Sequence, residues 1–186
     1  MRILVTNDDG IVAPGIRALV EVAKKFGDVI VVAPDSPQSG QGHAITLNHP
    51  LKLRKVDLFQ GVEAYECSGT PVDCVKLAKN ILLKNEQIDL CLSGINHGAN
   101  ASVNIIYSGT MSAAMEASIE KVTSIGFSLL DYSFTADFSA AKVFAEKIIR
   151  NILDRPMEAC KLLNVNIPAC PLADIKGIKV CRQGDG

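Results

Sequence analysis

A chain of 186 residues can bury one sizeable core, and this length points to a single domain over residues 1–186. Nineteen basic against twenty acidic residues leave a net charge of −1, which supplies neither a basic stripe for a nucleic-acid polymer nor an acidic tail. A hydrophobic fraction of 48% and a mean hydropathy of +0.22 suit a sheet covered on both faces, while no apolar run approaches the ~20 residues of a membrane span.

The chain begins in a strand. Residues 2–6 carry the β-forming run Ile3, Leu4 and Val5, and Asn7-Asp8-Asp9-Gly10 follow at once. An entry straight into a strand predicts no signal peptide and a cytoplasmic protein. Pro14 suits a first helical turn, with Ile16, Leu19, Val20 and Ala23 as the apolar stripe and Gly27 as the C-terminal cap. Val29 to Ala33 is the second strand, stopped by Pro34, and residues 35–50 form a long polar loop of the kind that is functional or disordered. Residues 51–57 and 62–67 read as a hairpin around Phe59-Gln60-Gly61. Thr70 as N-cap, Pro71 and Asp73 open a helix to about Lys84. Ile88 to Leu92 is the next strand, ahead of Ser93-Gly94-Ile95-Asn96-His97-Gly98-Ala99-Asn100. A short apolar piece, Val103 to Tyr107, leads to Ser108-Gly109-Thr110 and a helix over about 111–121. Ser124 to Leu130 is a strand, Ser139 to Leu153 an amphipathic helix, and Leu162 to Ile167 and Ile175 to Cys181 are further strands. Strands alternating with helices predict an α/β fold: a Rossmann-like, mostly parallel sheet with helices on both faces and a β-hairpin insertion. The chain ends straight after its last predicted strand, as though a C-terminal portion were missing.

Six cysteines lie scattered with no CxxC pair, and most sit in apolar runs. They read as buried thiols rather than zinc ligands or disulfides.

Four loops carry candidate chemistry. Asp8 and Asp9 leave the first strand where open parallel sheets bind ligands. Two adjacent carboxylates repel, and burying them calls for a cation such as a divalent metal; a plain turn is the alternative. Ser39-Gly40-Gln41-Gly42-His43 holds GxG without the third glycine, so a dinucleotide fingerprint is poorly matched. It suits an anion cradle or a mobile loop. In residues 93–100, Asn and Ser oxygens suit Mg²⁺, Mn²⁺ or Ca²⁺ better than zinc, or else simply form turns. His97 could be an acid, a substrate contact or a hydrogen-bonded loop histidine. Ser108-Gly109-Thr110 opens a helix whose free N–H groups can receive phosphate, with Thr110 as a structural cap the alternative. The Thr70 helix start, with Asp73 in its first turn, reads as structural. Neither a Walker motif nor a GxSxG elbow is present.

NDDG at residues 7–10, SG at 39–40, SGINxGxN at 93–100 and YSGT at 107–110 occur in the order found in the SurE family (survival protein E), which the chain resembles over essentially its whole length. That resemblance implies a metal-dependent nucleotidase. The expected substrates are nucleoside 5′- and 3′-monophosphates, with short polyphosphate as a further one. It implies one Mg²⁺ or Mn²⁺ per subunit held by Asp8, Asp9, Ser39 and Asn96, with Asp8, Asp9 and Asn96 catalytic. It implies phosphate contacts from Ser108, Gly109 and Thr110; Ser39, Gly40, His43 and Asn100 join them as candidate substrate contacts. The family also implies a homodimer or tetramer built with a C-terminal extension absent from this chain. Two rival classes remain: a haloacid dehalogenase-like phosphatase with an Asp nucleophile, whose DxD the adjacent pair Asp8-Asp9 does not match, and a non-catalytic nucleotide-binding module.

Overall fold

Short strands whose apolar residues run unbroken, such as Ile3-Leu4-Val5 and Val29 to Ala33, must bury both faces of a sheet, and here they do. The structure is a computed structural model that describes residues 1–133, 135–156 and 160–184. Its elements run β1 (Arg2–Thr6), α1 (Pro14–Ala23), β2 (Asp28–Pro34), β3 (Leu53–Val56), β4 (Glu63–Cys67), α2 (Pro71–Leu77), β5 (Leu90–His97), α3 (Gly109–Ile119), β6 (Thr123–Leu130), α4 (Ser139–Asp154) and β7 (Leu162–Pro168). The seven strands form one sheet in the order β3-β4-β2-β1-β5-β6-β7. Only β3, the near arm of the predicted hairpin, pairs antiparallel; the other neighbours are parallel.

The strand period of two sorts the core into two clusters. Ile3, Val5, Val29, Val31, Leu90 and Leu92 face α1 and α4. Leu4, Ile30, Val32 and Cys91 face α2 and α3. β1 is central: its own connection leads to β2 on one side, and the chain later crosses from β4 to β5 on the other. The crevice between the C-terminal ends of β1 and β5 is therefore the switch point of the sheet, where such folds bind ligands.

Four local expectations need correction. The helix begun by Pro14 ends at Ala23 with Lys24 as its cap, not at Gly27. Gly27 is needed because Met1 passes close by: a Cβ there would stand 2.3 Å from the Met1 carbonyl oxygen. α2 stops being α-helical at Leu77 and widens into a π-helical turn over Ala78–Leu82. β5 does not end at Leu92 but runs on to His97, with its register shifted between Ser93 and Asn96. Residues 175–181 are not a strand. No described strand lies beside them, so the backbone has no ladder to join, and Val180 stays 91% exposed. Among the cysteines, Cys67, Cys74 and Cys91 are buried thiols as expected, whereas Cys160 and Cys181 are exposed and Cys170 half-buried; all six are free.

Candidate active site

The C-terminal ends of β1 and β5, the loop after β2 and the start of α3 meet at the switch point. Asn7 opens the first turn. Its Nδ2 donates to the Gly10 carbonyl at 2.9 Å, and Gly10 takes a φ of +94° that suits glycine. The turn delivers Asp8 into the protein, only 4% exposed, and Asp9 to its edge.

Asp8 is held from two sides. The Thr110 hydroxyl, in the first turn of α3, donates to Asp8 Oδ1. The backbone N–H of Gln38, next to Ser39, donates to the Asp8 carbonyl at 2.7 Å. Burial pushes the Asp8 carboxyl up to about 6, and the charge of Asp9 adds to this against the Thr110 hydroxyl. The approach of α3 is so close that a Cβ on Gly109 would lie 2.6 Å from Asp8 Cβ. Gly109 is helical rather than left-handed, so close packing, not a positive φ, is what glycine supplies there. The cap of α3 is Ser108, whose Oγ accepts from the Met111 N–H at 3.1 Å; Thr110 is free to serve Asp8 instead.

Asp9 faces the β5 loop. Its Oδ2 accepts from the His97 backbone N–H at 3.2 Å and lies 3.3 Å from His97 Nδ1. His97, the last residue of β5, packs edge-on against Phe138 with ring centroids 5.1 Å apart. Asn96 is buried just before it, its Nδ2 donating to the Gly98 carbonyl at 2.9 Å. Glycine is required at 94, since a Cβ there would meet the Phe127 carbonyl at 2.3 Å.

The remaining candidates divide. Ser39 and Gly40 form the exposed tip of the 35–50 loop beside Asp8, and Gly40 has φ +77° with open space around it. His43 is engaged by Glu116 of α3, Nε2 to Oε2 at 2.9 Å. Asn100 ties the β5 loop to the neighbouring strands: its Nδ2 donates to Ser128 Oγ at 3.0 Å, and its carbonyl accepts from Asn164 and Asn166.

The donor set fits a hard divalent cation. Asn7 Oδ1 is buried without a hydrogen-bond partner beside the Asp8-Asp9 pair. A carboxylate raised by burial, a second carboxylate next to it and an orphaned amide oxygen are what a cation would compensate. Sequence reasoning missed Glu116 and Lys76. Lys76 Nζ lies 2.6 Å from Glu116 Oε1. Burial alone would raise the Glu116 carboxyl, but the bonds from Lys76 and His43 outweigh it and hold the group below its ordinary value. Nothing in the sequence pairs residues 40 and 73 positions apart.

The model of the family described as "Survival protein SurE" matches residues 3–186. The chain is 58% identical over 181 residues to the 5′-nucleotidase SurE of Cytophaga hutchinsonii, covering 97% of this chain and 70% of that protein. It is 59% identical over 185 residues to the 5′-nucleotidase SurE of Christiangramia forsetii, covering 98% and 71%. The crystal structure of the SurE protein from Aquifex aeolicus superposes with a TM-score of 0.90 at 43% identity, over 99% of this chain and 73% of that one. The chain belongs to the SurE family.

Proposed function

We propose that the protein is a divalent-metal-dependent phosphomonoesterase that hydrolyses nucleoside 5′- and 3′-monophosphates to nucleoside and phosphate. Short polyphosphate is a further substrate of the same site. The observation that carries this reading is the buried Asp8 beside Asp9, packed against the start of α3 at the switch point of the sheet. The relatives named 5′-nucleotidase SurE support the substrate class.

Asp8, Asp9, Ser39 and Asn96 would hold one Mg²⁺ or Mn²⁺ per subunit. Bound there, the ion supplies Lewis-acid polarisation of the phosphoryl group and an activated water. The carboxylate pair would repel a phosphate dianion, so the chain relies on that cation. Ser108 presents its hydroxyl, and Gly109 and Thr110 their backbone N–H groups at the positive end of α3, to the phosphate oxygens, while the Thr110 hydroxyl stays with Asp8. Ser39 and Gly40 approach from the opposite loop, and Asn100 keeps the β5 loop in place beside them. These donors favour the charge that spreads over the equatorial oxygens during phosphoryl transfer. The protein acts as a homodimer or tetramer, as the family resemblance implies, and its proposed location is the cytoplasm. The net charge of −1 supports a small-molecule substrate over a nucleic-acid polymer, and no helix among the described residues is long and apolar enough to cross a membrane.

The test is phosphate release from a panel of mononucleotides with Mg²⁺, with Mn²⁺ and with a chelator. Cation-dependent release is expected. Release that survives chelation, or a trapped phosphoenzyme, would overturn the reading.

A further inference from the structure

The 35–50 loop has no helix or strand of its own, yet four of the five residues 42–46 are fastened. Gly42 N–H donates to the Tyr107 carbonyl at 3.1 Å. The Ala44 carbonyl accepts from Thr70 Oγ1 at 2.7 Å. Thr46 donates from both its N–H and its hydroxyl to Asp73, the hydroxyl at 2.6 Å. Between these backbone ties, the one side chain that reaches into α3 is His43, and its partner Glu116 is only 5% exposed. Glu116 stands six residues after Thr110, so one rigid helix carries both the hydroxyl that holds Asp8 and the carboxylate that holds His43. The helix rise of 1.5 Å per residue separates the two by about 9 Å.

From this we infer that Glu116 is a positioning residue for phosphate-ester hydrolysis: through His43, and braced by Lys76, it sets the Ser39-Gly40 tip against Asp8. The inference rests on the proposed role of Ser39 at the metal and phosphate. The tip is fixed at its near end by the Gln38 bond to Asp8 and at its far end by His43 and Gly42. A Cβ on Gly40 would stand in open space, and the bond from the Gln41 N–H to the Gln38 carbonyl closes the turn between those two ends. His43 thereby serves the site through the loop that carries Ser39. Losing the Glu116 carboxylate would strand two donors and free the far end of the loop.

The experiment compares wild type with Glu116→Ala, Glu116→Gln, His43→Ala and the double variant Glu116→Ala/His43→Ala. Hydrolysis of p-nitrophenyl phosphate with Mn²⁺ is measured beside amide hydrogen exchange over residues 38–43. Expected are a loss of about tenfold in kcat/KM for each alanine variant, carried mainly by KM, and faster exchange in the loop. Glu116→Gln keeps an acceptor for Lys76 and a polar partner for His43, so it should recover most of the activity. The double variant should be no worse than Glu116→Ala, since both remove one tie. Faster exchange with unchanged kinetics would overturn the inference, as would unchanged exchange or additive losses. Should Glu116→Ala fail to fold, His43→Ala carries the same test at a half-exposed position. A wild type that hydrolyses no phosphomonoester would count against the proposed function, and loop exchange in the variants would still decide whether Glu116 holds the tip.

Discussion

Two helices begin side by side at the top of the sheet, and they are closed in different ways. A Cβ on Gly109, at the start of α3, would sit 3.1 Å from Pro71, at the start of α2. α2 closes itself: Thr70 Oγ1 accepts from the Asp73 N–H and Asp73 accepts from the Thr70 N–H, a capping box within four residues. α3 has Ser108 as its cap but apolar Met111 where α2 has Asp73. The carboxylate at its start is Asp8, supplied from β1 across 102 residues. Asp73 is fully occupied by its own helix start and by Thr46 of the 35–50 loop. A carboxylate lent from another strand can also face a cation or a substrate. The difference separates a helix start closed by its own first turn from one whose carboxylate comes from the far end of β1, although each has a hydroxyl cap.

The largest effect that would break this comparison belongs to Asp8 and Asp9. Asp8→Asn or Asp9→Asn should leave the protein folded and lower cation-dependent phosphate release by more than tenfold, about 1.4 kcal/mol of transition-state stabilisation. Activity above a tenth of wild type in either variant would remove its role as a ligand. The same Asp8→Asn change should raise the stability of the metal-free protein. The folded carboxyl sits at about 6 against an ordinary 3.8, chiefly through burial, so its ionisation costs on the order of 3 kcal/mol at pH 7. For a raised carboxyl, that cost fades as pH falls through 6 toward 4. Thermal melts at pH 7 and pH 4 should therefore separate the variant from wild type at the higher pH and bring them together at the lower.

Next in size is Gly109→Val. Its Cβ would collide with Asp8 and crowd Pro71, so α3 must shift away from both helix start and carboxylate. Overpacking of this kind costs about 1–3 kcal/mol, and turnover should fall with it. Denaturant melts beside the phosphate-release assay check both. A variant with wild-type activity would show that the close approach of α3 to Asp8 is not needed.

Asp73→Ala is the mirror experiment on α2. It removes the capping box and both Thr46 ties, and it should cost about 1–2 kcal/mol of stability. The contrast is in sign: metal-free protein should lose stability without Asp73 and gain it without Asp8. Two losses of equal size would erase the distinction between the helix starts. The smallest expected effect is Ser108→Ala, which removes the cap on the Met111 N–H and should cost about 1 kcal/mol in a denaturant melt. Inorganic phosphate should still inhibit this variant, with affinity lowered only moderately.

Local chemistry was legible where cause and effect lie close in sequence. The strand that ends in Asp8-Asp9, the Thr70-Pro71-Asp73 helix start and the hairpin arms at β3 and β4 all follow from neighbours a few residues apart. What the sequence concealed depends on partners far along the chain. Ile175 to Cys181 has the composition of a strand, but a strand exists only beside another. Gly27 resembles a cap, yet Met1 is what requires it. Thr110 looks like a helix cap until Asp8 is placed next to it, and the bond between His43 and Glu116 spans 73 positions. At the site, residue types and strand ends were readable, while the division of labour among hydroxyls and carboxylates was not.

The cysteines give the fold a built-in clock. Cys91 lies near the start of β5, fully buried, and burial pushes its thiol up to about 12. Cys67 and Cys74 are equally shielded, at the end of β4 and within α2. An alkylating reagent reaches none of the three sulfurs while its surroundings stay closed. Burial also keeps Cys91 and Cys74 protonated. Bonds from Cys74 and the Gly69 N–H hold the Cys67 thiol below its ordinary value, so Cys67 depends on shielding alone. Cys160 and Cys181 are exposed and mark the fast limit. The rate at which Cys91 becomes labelled therefore reports the opening of the central sheet, and the rates at Cys67 and Cys74 report the release of α2. A bound cation or phosphate that tightens the site should slow those clocks without touching a single sulfur.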